Sequence, residues 1–357
     1  MSMNETWSDL RVLITGVCGT VGRELLRQIA AERPKEVIGI DNNETEIFFL
    51  SEQYQDHADV RFSLGDIRDC EKLKRLMDGI DVVLHTAALK HVILCEQSPR
   101  DAVQTNILGT QNVIDAATEC GVSRVIFTSS DKAVSPTNVM GTSKLMAERL
   151  ISAANTLRRN NNRIFSSTRF GNVLGSRGSV VPIFERQIAG GGPVTITDLE
   201  MTRFVMTMHD AVQLVLESVN IAHGGEVLVT KMPAVRISDL ASVMIEELAP
   251  RYGYEPESIR IEIIGAKPGE KLYEELMTEE EVRRAVELDR YFAIIPAFKT
   301  AYREIKFEYP TQSRSRVERP YNSTLEIPLT RKELRDYLNA GGLFAGKDSA
   351  NDMNVLQ

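Results

Sequence analysis

Short apolar runs alternate with longer segments of helical period through the first half of the chain. Arg11–Thr15 (RVLIT), Glu36–Ile40 (EVIGI), Val60–Ser63, Val82–His85, Arg124–Ser129 (RVIFTS) and Phe165–Phe170 read as strands. Val21–Glu32, Cys70–Met77, Ala102–Cys120 and Ser143–Arg159 read as the helices between them. Strands that are apolar along nearly their whole length suit a parallel sheet, because crossover helices bury both of its faces. The alternation therefore predicts an α/β fold, a doubly wound parallel sheet of the Rossmann type.

After about residue 170 the rhythm breaks. Glycine and proline become frequent (Gly171, Gly175, Gly178, Pro182, Gly190, Gly191, Gly192, Pro193), and helical period returns at Asp210–Ile221 and Ser238–Glu247. The expected organisation is a first domain over residues 8–170 and a smaller C-terminal substrate-binding lobe over 171–340. Residues of about 205–235 are expected to pack back on the first domain, and 341–357 to form a frayed polar tail.

Composition narrows the class. The chain has 357 residues, 43% hydrophobic and 26% charged, as in an ordinary globular protein. A net charge of −8 without a basic stripe argues against a nucleic-acid partner. The four cysteines, Cys18, Cys70, Cys95 and Cys120, are far apart and lack metal-ligand spacing, as do His91 and His209. No metal is expected. The N-terminal segment has no apolar signal region, and no run approaches the ~18–20 apolar residues that cross a bilayer. A cytoplasmic protein with no membrane partner is expected.

Candidate chemistry begins where the first strand runs into Gly16-Val17-Cys18-Gly19-Thr20-Val21-Gly22 and a helix follows. Gly16 permits a tight turn, Gly19 lets the backbone approach a pyrophosphate, and Gly22 lets helix and strand pack closely. The helix N-terminus adds aligned N–H groups. The second strand ends at Asp41-Asn42. An acid there accepts hydrogen bonds from a ribose 2′-hydroxyl and repels a 2′-phosphate, which favours NAD over NADP. Asp66 and Ile67, after the third strand, are placed to hold an adenine. Ala87 and Ala88, after the fourth, leave room for the cofactor.

After the fifth strand comes TSSDKAVSPTNVMGTSK, Thr128 to Lys144. Asp131 and Lys132 set two titratable groups of unlike type side by side, with the hydroxyls of Ser129 and Ser130 just before them. One helical turn before Lys144, where a nucleotide-linked oxidoreductase usually carries a tyrosine, stands Met140. Methionine exchanges no proton, so Met140 contributes either shape or simple core packing.

The stretches TGVCGTVG, GDIRD, HTAALKHVILCEQSP, TNILGTQNV, TSSDKAVSPTNVMGTSK, RFGNVLGSRGSVVPIF, TITDLEMTRFVMT and IGAKPGEKLYEEL extend from about residue 10 to 280. On them the chain resembles the extended short-chain dehydrogenase/reductase superfamily, and within it the bacterial UDP-N-acetylglucosamine 4,6-dehydratases of polysaccharide synthesis. Some of these also carry methionine at the Met140 position and add a membrane-anchoring region; the expectation here is a stand-alone soluble form.

The resemblance implies bound NAD, a UDP-linked amino sugar as substrate, and a homo-oligomer. It implies oxidation at sugar C4, loss of the C5 proton and the 6-hydroxyl, and reduction at C6. By resemblance Asp131 is the acid and Lys132 the C5 base, and the neighbouring pair also allows the reverse. Ser130 is a candidate for the 4-hydroxyl and Lys144 for the nicotinamide ribose. Asp131, or a water relayed to Lys144, is left to deprotonate the 4-hydroxyl. Cys18, Thr20, Val21, Asn42, Lys90 and Asn106 join the cofactor set. Lys90, His91, Asn172, Gly178, Ser179, Val180, Arg203 and Glu270, with Arg177, form the substrate set. The NAD-type Asp41 leans toward retention at C5. The alternatives are a nucleotide-sugar 4-epimerase, which has no need of the Asp-Lys pair, and a non-catalytic NAD-sensing protein.

Overall fold

The computed structural model describes residues 7–155, 163–176, 178–265, 269–298, 305–309 and 316–344. Arg177, residues 156–159 of the expected helix and most of the expected tail lie outside them. The chain divides into two compact units. The first takes Met1–Phe170, Val212–Lys231 and Leu276–Pro320; the second takes Gly171–Ala211, Met232–Glu275 and Tyr321–Gln357.

The first unit is built on β1 (Arg11–Thr15), β2 (Glu36–Asp41), β3 (Val60–Leu64), β4 (Val82–His85), β5 (Arg124–Ser130) and β6 (Ile164–Phe170). They form part of a nine-stranded sheet. In space β3, β2, β1, β4, β5 and β6 follow one another, all parallel. The chain leaves β1 toward β2 on one side and returns to β4 on the other. The carboxyl ends of β1 and β4 therefore flank a switch point, the place where open α/β sheets bind ligands. One core cluster joins Leu13, Ile40, Val83, Val125, Phe127 and Phe165 of the strands to Leu73, Met77, Val113, Ala117, Ala147 and Ile151 of the covering helices.

The sheet continues past β6. Val227–Thr230 pairs parallel with β6, Tyr291–Ile294 pairs antiparallel with Val227–Thr230, and Ala285–Glu287 closes the edge. Val212–Lys231 groups with the first unit, inside the stretch of about 205–235 expected to pack back on it, and Leu276–Pro320 groups there too, although it was expected in the lobe. The physical reason is edge protection: an apolar strand left open beside β6 would expose its backbone groups.

The helices differ from expectation at their ends. Val139–Ala154 begins before Ser143 because Asn138 caps it, its side chain accepting from the Gly141 N–H at 2.8 Å. Ala102–Cys120 is not one regular helix. Pro99–Ala102 leads into a π-helical turn, Val103–Gly109, and then Thr110–Glu119. The wider turn accompanies a buried Asn106 whose side chain bonds outside the helix. Among the described residues no helix is long and apolar enough to cross a membrane.

The second unit has its own core. Phe184 and Ile188 of helix Val180–Ala189 pack with Leu240, Met244 and Leu248 of Ile237–Leu248 and with Leu334 and Leu338 of Arg331–Ala340. Its strands are short: Thr202–Met206 pairs with Asn172–Val173 and Ala234–Arg236, and Val194–Ile196 with Ile261–Ile263.

Candidate active site

The glycine loop crosses the carboxyl end of β1. Gly16 has φ +72°, and a Cβ on it would meet the Ala87 backbone at 2.7 Å. A Cβ on Gly22 would run into the Gly16 carbonyl. Helix α1 (Thr20–Ala31) starts at Gly19 with no side-chain cap, so its first N–H groups point out of the loop unblocked by a capping oxygen. Beside it the Thr20 hydroxyl is buried without a hydrogen-bond partner among the described residues. An uncapped helix end, an orphaned hydroxyl and a cradle that any Cβ would fill fit a dinucleotide pyrophosphate.

Asp41 closes the loop from the second strand. Its carboxylate accepts from the Cys18 N–H at 3.0 Å and the Asn43 N–H at 3.1 Å. Asn42 donates to Asp66 at 3.2 Å. Arg68 pairs with Asp66 at 2.7 Å, and its hydrogen bond holds that carboxyl below the usual carboxylate range. Ile67 is buried in the main core, and Ala88 is half-buried.

Asn106 behaves otherwise than expected of a cofactor ligand. Its oxygen accepts from the Leu89 N–H at 2.8 Å, and its amide donates to the Leu89 carbonyl at 3.0 Å and to Ser143 Oγ at 2.8 Å. With the amide so occupied, Asn106 fixes the turn that presents the exposed Lys90 and His91.

His85 ends β4, fully buried between Thr15 Oγ1 at 2.7 Å and Thr110 Oγ1 at 3.1 Å. Burial, with the charge of Lys144, pushes its pKa down to about 3. The folded protein keeps this imidazole neutral, whereas the unfolded chain protonates it near ~6.5. The stabilisation is complete above that value and is lost as pH falls toward 3, at up to about 1.4 kcal/mol per pH unit. His85→Gln is expected to remove this one-proton slope from urea midpoints measured between about pH 4 and 6. A variant as acid-sensitive as the parent would contradict it.

The Asp-Lys pair sits on a short 3₁₀ turn, Asp131–Ala133, at the carboxyl end of β5. Ser130 caps that turn, accepting from the Lys132 N–H at 3.3 Å, and donates to Asp131 Oδ1 at 2.6 Å. Lys132 Nζ lies 3.0 Å from Asp131 Oδ2 and 3.2 Å from Oδ1. Asp131 is buried at 5% exposure, whereas the Lys132 side chain is 36% exposed. Gly141 lets helix Val139–Ala154 press on this turn, for a Cβ there would strike the Lys132 carbonyl. Nearby, the Ser129 hydroxyl is buried with no partner among the described residues.

From the same helix Lys144 reaches in, buried, donating to the Thr128 carbonyl at 3.0 Å and standing 4.7 Å from the centre of the Phe127 ring. Burial lowers its pKa to about 8, against an opposing pull from Glu148. Met140 packs with Cys95 and Ala102 in a small apolar cluster. Of the two accounts of Met140, the geometry supports packing, and it performs no proton chemistry.

One buried cluster was missed. Arg169, 1% exposed at the end of β6, pairs with Glu148 at 2.6 Å and with Glu281 at 3.1 Å, and donates to the Leu276 carbonyl at 2.8 Å. Its signal in the sequence was an arginine inside the strand segment IFSSTRF next to the buried centre of the sheet, where a charge demands partners.

Within the second unit the substrate candidates fall into two groups. Asn172 donates to the Phe204 carbonyl at 3.1 Å and to Glu274 at 2.7 Å, which occupies both amide hydrogens. It is therefore not free to donate to a diphosphate as expected. Arg203 lies 3.3 Å from Glu274 and 3.6 Å from Glu270, and donates to the Thr202 and Lys271 carbonyls at 2.9 Å. The other group is the start of helix Val180–Ala189. Gly178 has φ +74°, Ser179 stands at the N-cap with its buried hydroxyl unpartnered among the described residues, and Val180 packs against the core. No group of three or more His, Cys, Asp or Glu among the described residues is placed to hold a metal ion.

A glycine loop at the switch point of a doubly wound sheet, followed by an uncapped helix, defines a Rossmann fold of the dinucleotide-binding class. The chain belongs to the family of polysaccharide biosynthesis proteins, which matches residues 12–296. It is 49% identical over 290 residues to an uncharacterized membrane protein of Methanocaldococcus jannaschii, covering 81% of this chain and 87% of that one. It is 39% identical over 298 residues to an inverting UDP-N-acetylglucosamine 4,6-dehydratase of Campylobacter jejuni, covering 83% and 86%. A UDP-glucose 4-epimerase of Rickettsia bellii is 39% identical over 293 residues, covering 80% and 83%. The X-ray structure of Pen from Bacillus thuringiensis, 43% identical, superposes with a TM-score of 0.86 over 95% of this chain and 100% of that one.

Proposed function

We propose that the chain is a NAD-dependent UDP-N-acetylglucosamine 4,6-dehydratase that forms a UDP-linked 4-keto-6-deoxy amino sugar for glycan or polysaccharide synthesis. The observation that carries this reading is the Asp131–Lys132 ion pair, 3.0 Å across, at the carboxyl end of β5. Bound NAD would supply the redox chemistry, oxidation at sugar C4 and reduction at C6. The glycine loop, Thr20 and Asp41 would hold it.

The remaining work is proton transfer by this chain. At 3.0 Å a proton passes directly from the Lys132 ammonium to the Asp131 carboxylate, leaving an acid beside a neutral amine. The amine removes the C5 proton that the 4-ketone acidifies, and Asp131 protonates the departing 6-hydroxyl. Ser130, bonded to Asp131 at 2.6 Å, orients that carboxyl. Lys144, with its pKa at about 8, exchanges a proton near physiological pH. It takes up the 4-hydroxyl proton through a water, the task for which Met140 is useless. Arg203, Ser179 and Glu270 are the candidates for the nucleotide.

A 4-epimerase is the second reading, favoured by the resemblance to the Rickettsia bellii protein at 39% identity. Incubation with UDP-N-acetylglucosamine separates the two. Elimination gives a product lighter by one water, epimerisation an isomer of equal mass, and a binding protein no product. The Campylobacter relative is named as inverting, against the lean toward retention taken from Asp41. Proton NMR of product formed in heavy water reads the C5 configuration.

A further inference from the structure

We propose that Glu46, through Arg23, is a specificity-determining residue that enforces NAD over NADP. The inference rests on the reading that the glycine loop binds NAD.

Arg23 lies in the first turns of α1, just past Gly22. Its Nε donates to the Cys18 carbonyl at 3.2 Å, and the N–H of that same residue donates to Asp41 at 3.0 Å. Cys18 is thus held at both ends between the acid that would meet the ribose and a guanidinium. A 2′-phosphate carries nearly two negative charges, and arginine is the side chain best suited to receive it. Here that guanidinium is already engaged, its NH2 paired with Glu46. Glu46 comes from the first turn of helix Glu44–Gln53, directly after β2. Asn43 caps this helix by accepting the Glu46 N–H at 3.2 Å, while the Asn43 N–H bonds Asp41 at 3.1 Å. One short segment therefore positions both carboxylates. Asp41 repels a 2′-phosphate, and Glu46 withholds the cation that would offset the repulsion. The Glu46 side chain is 14% exposed and that of Arg23 31% exposed, so the pair is only partly screened by water.

The test is calorimetric titration of the full-length protein, freed of nucleotide, with NAD⁺ and with NADP⁺. The parent is expected to prefer NAD⁺. Glu46→Gln is expected to leave NAD⁺ affinity within about threefold and to tighten NADP⁺ by about tenfold, a ratio change equal to one charge-assisted hydrogen bond. Adding Arg23→Gln to it should cancel the gain. Glu46→Ser removes the same charge and serves as the second probe should the first variant fold poorly. Unchanged NADP⁺ affinity in a folded variant that still binds NAD⁺ overturns the role of Glu46 alone, and so does equal weakening of both nucleotides. A parent that binds neither nucleotide overturns the NAD reading, and this inference with it.

Discussion

Lys132→Ala is expected to lower the rate of water elimination by ~10²–10⁴-fold while the protein stays folded and keeps its dinucleotide. The side chain is removed from a turn whose backbone is fixed independently, by the Ser130 cap and by the close approach of Gly141. Asp131 remains, bonded to Ser130 at 2.6 Å, but it loses the partner 3.0 Å away that supplies its proton, and the base for the C5 proton goes with it. Lys132→Arg separates charge from proton transfer. A guanidinium preserves the ion pair but stays protonated at working pH, so it is expected to keep parental stability without regaining rate. The assay is the mass of the UDP-sugar product, with cofactor content read from absorbance. Product formed at a near-parental rate by Lys132→Ala would remove lysine from the mechanism.

Arg169→Ala is expected to destabilise the first unit by about 3–5 kcal/mol, seen as a lower urea midpoint. The guanidinium separates two carboxylates with side-chain exposures of 2% and 6%. Without it Glu148 and Glu281 remain buried, unpaired and mutually repulsive. The effect reaches the site, because Glu148 stands one helical turn beyond Lys144 on the same helix. Replacing the three ionic side chains together, with Arg169→Met, Glu148→Leu and Glu281→Leu, is expected to recover most of the loss, since well-packed apolar groups substitute for buried ion clusters. A loss below about 1 kcal/mol for Arg169→Ala would mean that water reaches the carboxylates.

β1 and β4 were legible because burial on both faces leaves a nearly continuous apolar mark in the sequence, whereas β3, with burial only at Val60, left a weak one. β1 and β4 fall where RVLIT and VVLH lie. Val227–Thr230 and the strands Ala285–Glu287 and Tyr291–Ile294 were not assigned to the sheet, because membership depends on pairing with residues far away in the chain. Helix Glu44–Gln53 escaped notice for a local reason: Phe48 and Phe49 are both exposed, so its apolar positions keep no helical period. At the site, residue types were readable and partners were not. Asp131 and Lys132 announce themselves by adjacency. Asn172 and Asn106 looked like ligand donors, but Glu274 and Leu89 occupy their amides, and nothing local in the sequence reveals those contacts.

The first unit is assembled from three stretches of chain, with two of the second unit's stretches threaded between them and its third following. A fragment ending at Phe170 would carry the glycine loop, Asp131, Lys132 and Lys144, yet β6 would become a bare margin lacking Val227–Thr230, and Arg169 would lack Glu281. Sheets left open in this way recruit one another. Inheritance is constrained accordingly. A single crossover behind residue 170 would exchange two stretches of the first unit along with the second, so replacing the second unit alone takes several breakpoints.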